Sequence, residues 1–285
     1  LSLLIFLLAI YLNYIRDLGS GFIPAKPGKR NASKFLFSPF ALVVRLQRTS
    51  IITWIAGILV LGIAYGSILG DLEGFLNTSG MLQQMIPQVE GMDLTEEFII
   101  MLITIISIIG AVPTIMFILK LSSEEKKNRT EYLLSSPISR SKFLTSYTII
   151  ALITAPVMQF VSVVGLWSSA TIVMEEGISF STLLESAFFH IPSMWIFVGV
   201  AVLLIGRFPR LTSLTWLYLG YAFFVAYMEE ILKLPKWMSN LSPFGPILGT
   251  PVAEIDYLPL LTLIVISLIL IIIGFIGYNK RDIEG

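Results

Sequence analysis

The chain has 285 residues, of which 55% are hydrophobic and only 13% charged, and its mean hydropathy is +0.85. On a water-facing globule most of these side chains would be insoluble, so a soluble domain is excluded and lipid is the principal solvent. Nineteen basic and nineteen acidic residues cancel, which leaves no excess for a nucleic-acid partner, and the absence of cysteine excludes disulfides and thiolate metal sites.

Crossing roughly 30 Å of hydrocarbon takes about 20 mostly apolar residues, and lipid satisfies no backbone donors, so each such run is expected to be helical. Seven apolar runs follow in chain order, at 1–15, 51–69, 98–119, 145–170, 183–206, 211–228 and 258–278. The expected fold class is all-α, a polytopic membrane protein. The first run is short and opens on Leu1, so it is expected to be the tail of a helix that begins upstream. Its positive charge follows the apolar stretch, opposite to the order in a signal peptide.

A Gly/Pro/basic linker occupies 17–37. Its PGKR is not a phosphate loop: Ile23 stands where the first glycine of that motif belongs, and Arg30 where Ser or Thr must follow the lysine. Ser38 and Pro39 then start a helix with Phe40, Val43, Val44 and Gln47 on one side. Residues 38–48 either lie in the inner headgroup layer or begin the 51–69 span early. In and beyond that span Gly62, Gly66 and Gly70 recur every four residues, a face on which a neighbouring backbone can approach closely. Segment 70–97 carries six acids and no base, with Met81, Leu82, Met85 and Ile86 spaced like one side of a short helix.

After 98–119 comes a dense island of both charge signs, SSEEKKNRTEYLLSSPISRSKFL, residues 122–144. Residues 122–134 read as a separate helix: Ser122 or Ser123 caps it, Glu124 and Glu125 suit its positive end, and Lys127 pairs with Glu131 at four-residue spacing. Ser136 and Pro137 stop it, and Ser139, Arg140 and Lys142 lead into the next span. From charge pattern alone the island is a solvated connector with basic anchors.

Farther along, His190 lies inside the outer end of its span, about a turn from Glu185 and beside Pro192. It reads either as an ionisable group at a functional site or as a histidine hydrogen-bonded to a neighbouring helix. Segment 229–257 is apolar and aromatic, yet Pro235, Pro243, Pro246 and Pro251 forbid a continuous helix, so short re-entrant or interfacial helices over the outer span ends are expected. Trp54, Tyr65, Trp167 and Trp195 are aromatic residues that either meet a substrate or anchor and pack their helices.

Segments 16–50, 120–142, 207–210 and 279–285 hold seventeen of the nineteen Lys and Arg residues, while the alternate segments hold two of them and thirteen of the nineteen acids. Basic residues near span ends stay on the inner side, so the charged island and the last residues are expected in the cytoplasm of a bacterial or archaeal cell. The run ending Asn13, Tyr14, Arg16, Asp17 is matched six spans later by Tyr278, Asn279, Arg281, Asp282. That distance fits a duplicated six-span unit, with generic interfacial anchoring as the alternative.

Residues Glu124, Glu125, Arg129, Thr130, Glu131, Leu133, Leu134, Ser135, Pro137, Ile138, Ser139 and Arg140 stand in an order that resembles the intracellular loop of type-2 ABC exporter permeases, with Asn128 where a glycine is often found. Arg16 to Gly19, the proline-containing linker and 38–48 are similar to the join between two fused halves in the permeases known as exporters of polyketide antibiotics. Ser242, Pro243 and Phe244 match a triplet in their last outer loop.

The resemblance implies a six-span permease half, 51–285, preceded by a linker and interfacial helix at 16–50 and, at 1–15, by the end of the last span of a preceding half. It implies that 120–142 is a coupling loop seated on a separate ATP-binding subunit, two copies per transporter. Glu124, Glu125, Arg129, Thr130, Glu131, Pro137, Ser139 and Arg140 would dock or order that loop. ATP and magnesium would then belong to the partner, with no cofactor bound here. Hydrophobic or amphipathic compounds would leave by a path between the halves, partly lined by 51–69 and 183–206, with Trp54, Tyr65, His190 and Trp195 as candidate contacts. A non-transporting membrane scaffold or immunity protein is the alternative. An intramembrane protease built on Glu229, Glu230 and His190 fits less well, since the chain has one histidine and Leu234 where that chemistry needs arginine.

Overall fold

The computed structural model describes residues 6, 7, 10, 11, 38–72, 74, 76, 86, 93–127, 139–174, 177–247 and 257–281. Two units are distinguished, Leu1–Phe37 and Ser38–Gly285. In the first, Phe6, Leu7, Ile10 and Tyr11 are helical and exposed. The repeat copy at 13–17 lies outside the described residues, as do 77–85 and 87–92, which include most of the helix side expected around Met81 and Met85.

In the second unit, α1 (Pro39–Ile68) begins where Ser38 Oγ accepts the Ala41 N–H at 3.1 Å and Pro39 occupies the first turn. Residues 38–48 are the first turns of this helix and do not form a separate interfacial one. Ala41, Val43 and Gln47 are buried, which gives these turns a reason to be continuous with the rest of α1. Next come α2 (Leu94–Lys126), α3 (Arg140–Val173), the short α4 (Phe180–Phe188) and α5 (Ile191–Arg207), then α6 (Leu214–Leu232), α7 (Lys236–Leu241) and α8 (Tyr257–Lys280).

The separate helix expected at 122–134 is corrected at its start. Nothing between Leu121 and Lys126 breaks the helix, so α2 runs through Ser122 and Ser123 to Lys126 with no new cap. Glu124 and Glu125 therefore sit at the negative end of a helix macrodipole, and only nearby cations make that placement favourable.

Among the described residues, five helical segments are long and apolar enough to cross a membrane: Pro39–Asp71, Leu94–Lys126, Arg140–Val173, Phe180–Arg207 and Tyr257–Lys280. The run expected at 211–228 is helical as α6 but is not among these five. Its tyrosines and tryptophan, with Glu229 and Glu230 in the last turn, dilute its apolar character. α2 is the most buried of the five and α1 the least.

Two close helix seams organise the unit. Between α1 and α3, a Cβ on Gly62 would come within 2.6 Å of the Ser162 carbonyl oxygen, and one on Gly165 within 2.5 Å of that of Leu59. Between α5 and α8, Gly206 faces the Gly274 backbone, and a Cβ on Gly277 would lie 2.8 Å from the Gly206 oxygen. Side chains at these points would force the backbones apart, so glycine sets the interaxial distance. At the α6 terminus Lys233 adopts a left-handed conformation (φ 48°), and Pro235 follows to prevent helix continuation.

The segment after α6 folds back along the bundle. Tyr218 and Tyr221 hydroxyls donate to the Leu241 and Met238 carbonyls, both at 2.9 Å, and Ser193 Oγ donates to the Pro243 carbonyl at 2.7 Å. Phe244 is fully buried, its ring 6.1 Å from that of His190 and 6.0 Å from that of Phe197. Backbone of irregular shape is tolerated at membrane depth when protein groups satisfy it in this way.

Candidate functional site

The charged island's two helical roots meet the end of α8. Glu125, at the last turn of α2, is 9% exposed. One carboxylate oxygen accepts the Tyr278 hydroxyl at 2.7 Å and the other accepts the Arg281 guanidinium at 2.6 Å. The same guanidinium lies 4.9 Å from the centre of the Tyr278 ring. At the start of α3, Arg140 Nη1 donates to the Arg281 backbone carbonyl at 2.8 Å, and Ser141 Oγ to Asn279 Oδ1 at 2.9 Å. Arg281 thus binds one root through its side chain and the other through its main chain.

Burial gives these contacts their weight. A carboxylate so enclosed needs both a counter-cation and hydrogen bonds, and here it has one of each. Removing one partner of a buried pair leaves an uncompensated charge, typically at a cost of about 3–5 kcal/mol. Tyr278 is wholly buried, packed in a cluster with Val43, Phe117, Leu121, Phe143, Tyr147 and Ile205, so the polar clasp rests on a rigid apolar floor. Arg281 Nε is buried and has no partner among the described residues.

The other expected loop residues divide by position. Glu124 pairs with Lys120 one turn earlier at 3.3 Å. Ser139 caps α3, its Oγ accepting the Lys142 N–H at 3.3 Å. Arg129, Thr130, Glu131 and Pro137 lie outside the described residues. Gly62 and Gly66 are buried in the α1–α3 seam, and Gly70 faces Val173.

The four candidate path residues are not brought together. Trp54 and Tyr65 are half-buried on α1, packed at different apolar clusters. His190 is buried where α4 gives way to α5; its Nδ1 lies 2.9 Å from the Ser186 carbonyl and its Nε2 3.2 Å from Thr104 Oγ1. The Ser186 contact requires Nδ1 to carry a proton, so both ring nitrogens are engaged within the bundle. Trp195 donates its indole N–H to the Leu152 carbonyl at 3.0 Å. Leu152 is four residues before Pro156, which has no N–H to offer that carbonyl. Among the described residues no group of three His, Asp or Glu could hold a metal ion.

Sequence reasoning missed Arg281, Tyr278 and Asn279 as partners of the island and treated them as anchors or repeat residues. Two signals pointed to them: the motif recurs at 13–17, and a glutamate directly continuous with an apolar helix needs a nearby cation. A second omission is Gln159, buried on α3, whose amide donates to Ser107 Oγ on α2 at 2.6 Å.

The family model described as the C-terminal domain of the multidrug efflux system permease Rv1217c matches residues 36–279. The multidrug efflux system permease protein Rv1217c of Mycobacterium tuberculosis (strain ATCC 25618 / H37Rv) is 29% identical over 280 residues, covering 97% of this chain and 51% of that protein. The chain spans about half the length of the curated relative it matches.

Proposed function

Since the chain belongs to the family of Rv1217c-type multidrug efflux permease C-terminal domains, we propose that it is the second membrane half of a type-2 ABC exporter whose 120–142 loop is driven by a separate ATP-binding subunit. A preceding half in the same polypeptide completes the pathway, two ATP-binding subunits supply nucleotide and magnesium chemistry, and hydrophobic or amphipathic drug-like compounds are moved out of the cytoplasm. The chain's linker and charged loop resemble those of the fused exporters of polyketide antibiotics.

The observation that carries this reading is the attachment of both roots of the charged loop to Arg281. ATP binding elsewhere shifts a membrane equilibrium only through groups that bind differently in its two states. Roots joined by polar contacts among α2, α3 and α8 deliver a push on the loop to three long helices.

Helix polarity supports six crossings in 51–285. The α8 terminus is bonded to the end of α2 and the start of α3, and α5 ends beside α8 at Gly206 and Gly277. With α5 ending and α8 ending on one side, α6 has to carry the chain back across before α8 begins. On this reading α6 is a span despite its aromatic and acidic content, and Lys126, Arg140 and Arg281 face the cytoplasm.

The test uses the full-length permease with its ATP-binding subunit in proteoliposomes. Exchanging charges as Glu131→Arg with Arg140→Glu is expected to lower drug-stimulated ATPase activity and export about tenfold, within the usual range of coupling energies, with membrane insertion unchanged. Undiminished export by a well-inserted double variant would refute coupling through this loop.

A further inference from the structure

A cavity of about 340 Å³ opens at the basic end of the bundle, between the last turns of α2 and the connection from α5 to α6. It lies on a different side of α2 from the Glu125 clasp. Lys126 and Lys127 line it, together with the hydroxyl-bearing Ser122, Ser123, Thr212 and Ser213. Ser122 and Thr212 are buried in its wall, whereas both lysines are exposed. Among the described residues, no acidic side chain lines it and neither lysine has an ion-pair partner.

We propose that this cavity binds the phosphate of an anionic phospholipid headgroup. Two ammonium groups beside several hydroxyls match a compact multivalent acceptor, and basic pockets between membrane helices recognise such headgroups. The rim identifies the source of the phosphate as lipid. Trp216 lines the opening, and Phe208, Leu211, Leu214 and Leu217 are exposed on the adjoining turn and the first turn of α6, Leu217 to 72%. An indole beside a polar site and an apolar strip is the arrangement found at a headgroup boundary. A free phosphate would use the lysines and leave this apolar strip without a role. A zwitterionic headgroup would bring a cation toward the two lysines, and no carboxylate among the described lining residues receives it.

The assignment depends on the chain being membrane-embedded and is independent of which subunit hydrolyses ATP. Its test is retention of lipid by the purified full-length protein in neutral detergent, read by native mass spectrometry with phosphatidylglycerol, phosphatidylcholine or inorganic phosphate as probe. Wild type is expected to retain phosphatidylglycerol in preference to phosphatidylcholine and to keep it when inorganic phosphate is added. Lys126→Gln with Lys127→Gln should weaken retention roughly thirtyfold, the combined effect of two lysines at a membrane surface. Lys126→Arg with Lys127→Arg should preserve it, and Lys142→Gln, which removes a charge outside the cavity, should leave it unchanged. Equal retention of both lipids overturns the proposal, as does equal loss in the Lys142 variant. Displacement of lipid by inorganic phosphate at comparable affinity overturns it in favour of a free-phosphate site.

Discussion

At Pro156, α3 lacks the donor that would satisfy the Leu152 carbonyl, and Trp195 supplies one from α5. Trp195→Phe keeps most of the ring but leaves that carbonyl unpaired, an expected loss of about 1–2 kcal/mol. Pro156→Ala restores the local N–H, so adding it to Trp195→Phe should recover much of the loss. Thermal unfolding of the four proteins in detergent reads this coupling directly, and strictly additive effects would show that the indole serves another purpose. Arg281→Gln should be the more damaging change, at about 3–5 kcal/mol, because it strands a buried carboxylate. Combining it with Glu125→Gln should be milder than Arg281→Gln alone. The sequence made Glu125 and Arg140 visible as members of a recognisable loop. It hid their partners, because the contacts join residues more than 140 positions apart.

Helix pairs show the same contrast between local and distant signals. Gly62 and Gly66 on α1 and Gly70 in the 3-10 turn that continues it recur at regular spacing, so a close-packing face is evident in one short stretch. The α5–α8 seam is assembled from Gly199 and Gly206 on one helix and Gly274 and Gly277 on the other, spaced seven and three residues apart, so neither helix displays the four-residue repeat. Gly206→Ala is expected to separate α5 from α8 and lower the unfolding temperature. Gly220→Ala on α6, where a Cβ would meet nothing within 4 Å, should be neutral or stabilising by up to about 1 kcal/mol. The extension of α2 through Ser122 and Ser123 was illegible for a different reason. Serine is a good cap only where the helix has cause to begin, and here an established apolar helix propagates through it.

Across the whole unit, α1 and α8 are peripheral, and α8 turns Leu261, Val265, Leu268, Ile272 and Ile276 outward as one apolar face. Composition predicted this lipid-facing character, and the alternation of charge supplied a topology. The tyrosines that lower the hydropathy of α6 serve the segment that follows it, donating to Leu241 and Met238. The absence of cysteine in this chain makes the topology easy to test. A cysteine at Lys142 should react in intact cells only with membrane-permeant reagents, while one at Trp237, 64% exposed, should react with impermeant ones. The opposite pattern would invert the orientation and remove the loop from the reach of any intracellular ATPase. The Arg281 clasp carries a kinetic implication as well. With one residue fastening both roots, neither can be worked loose by degrees, and a distance probe spanning the ends of α2 and α3 should jump between two dwell levels without lingering between them.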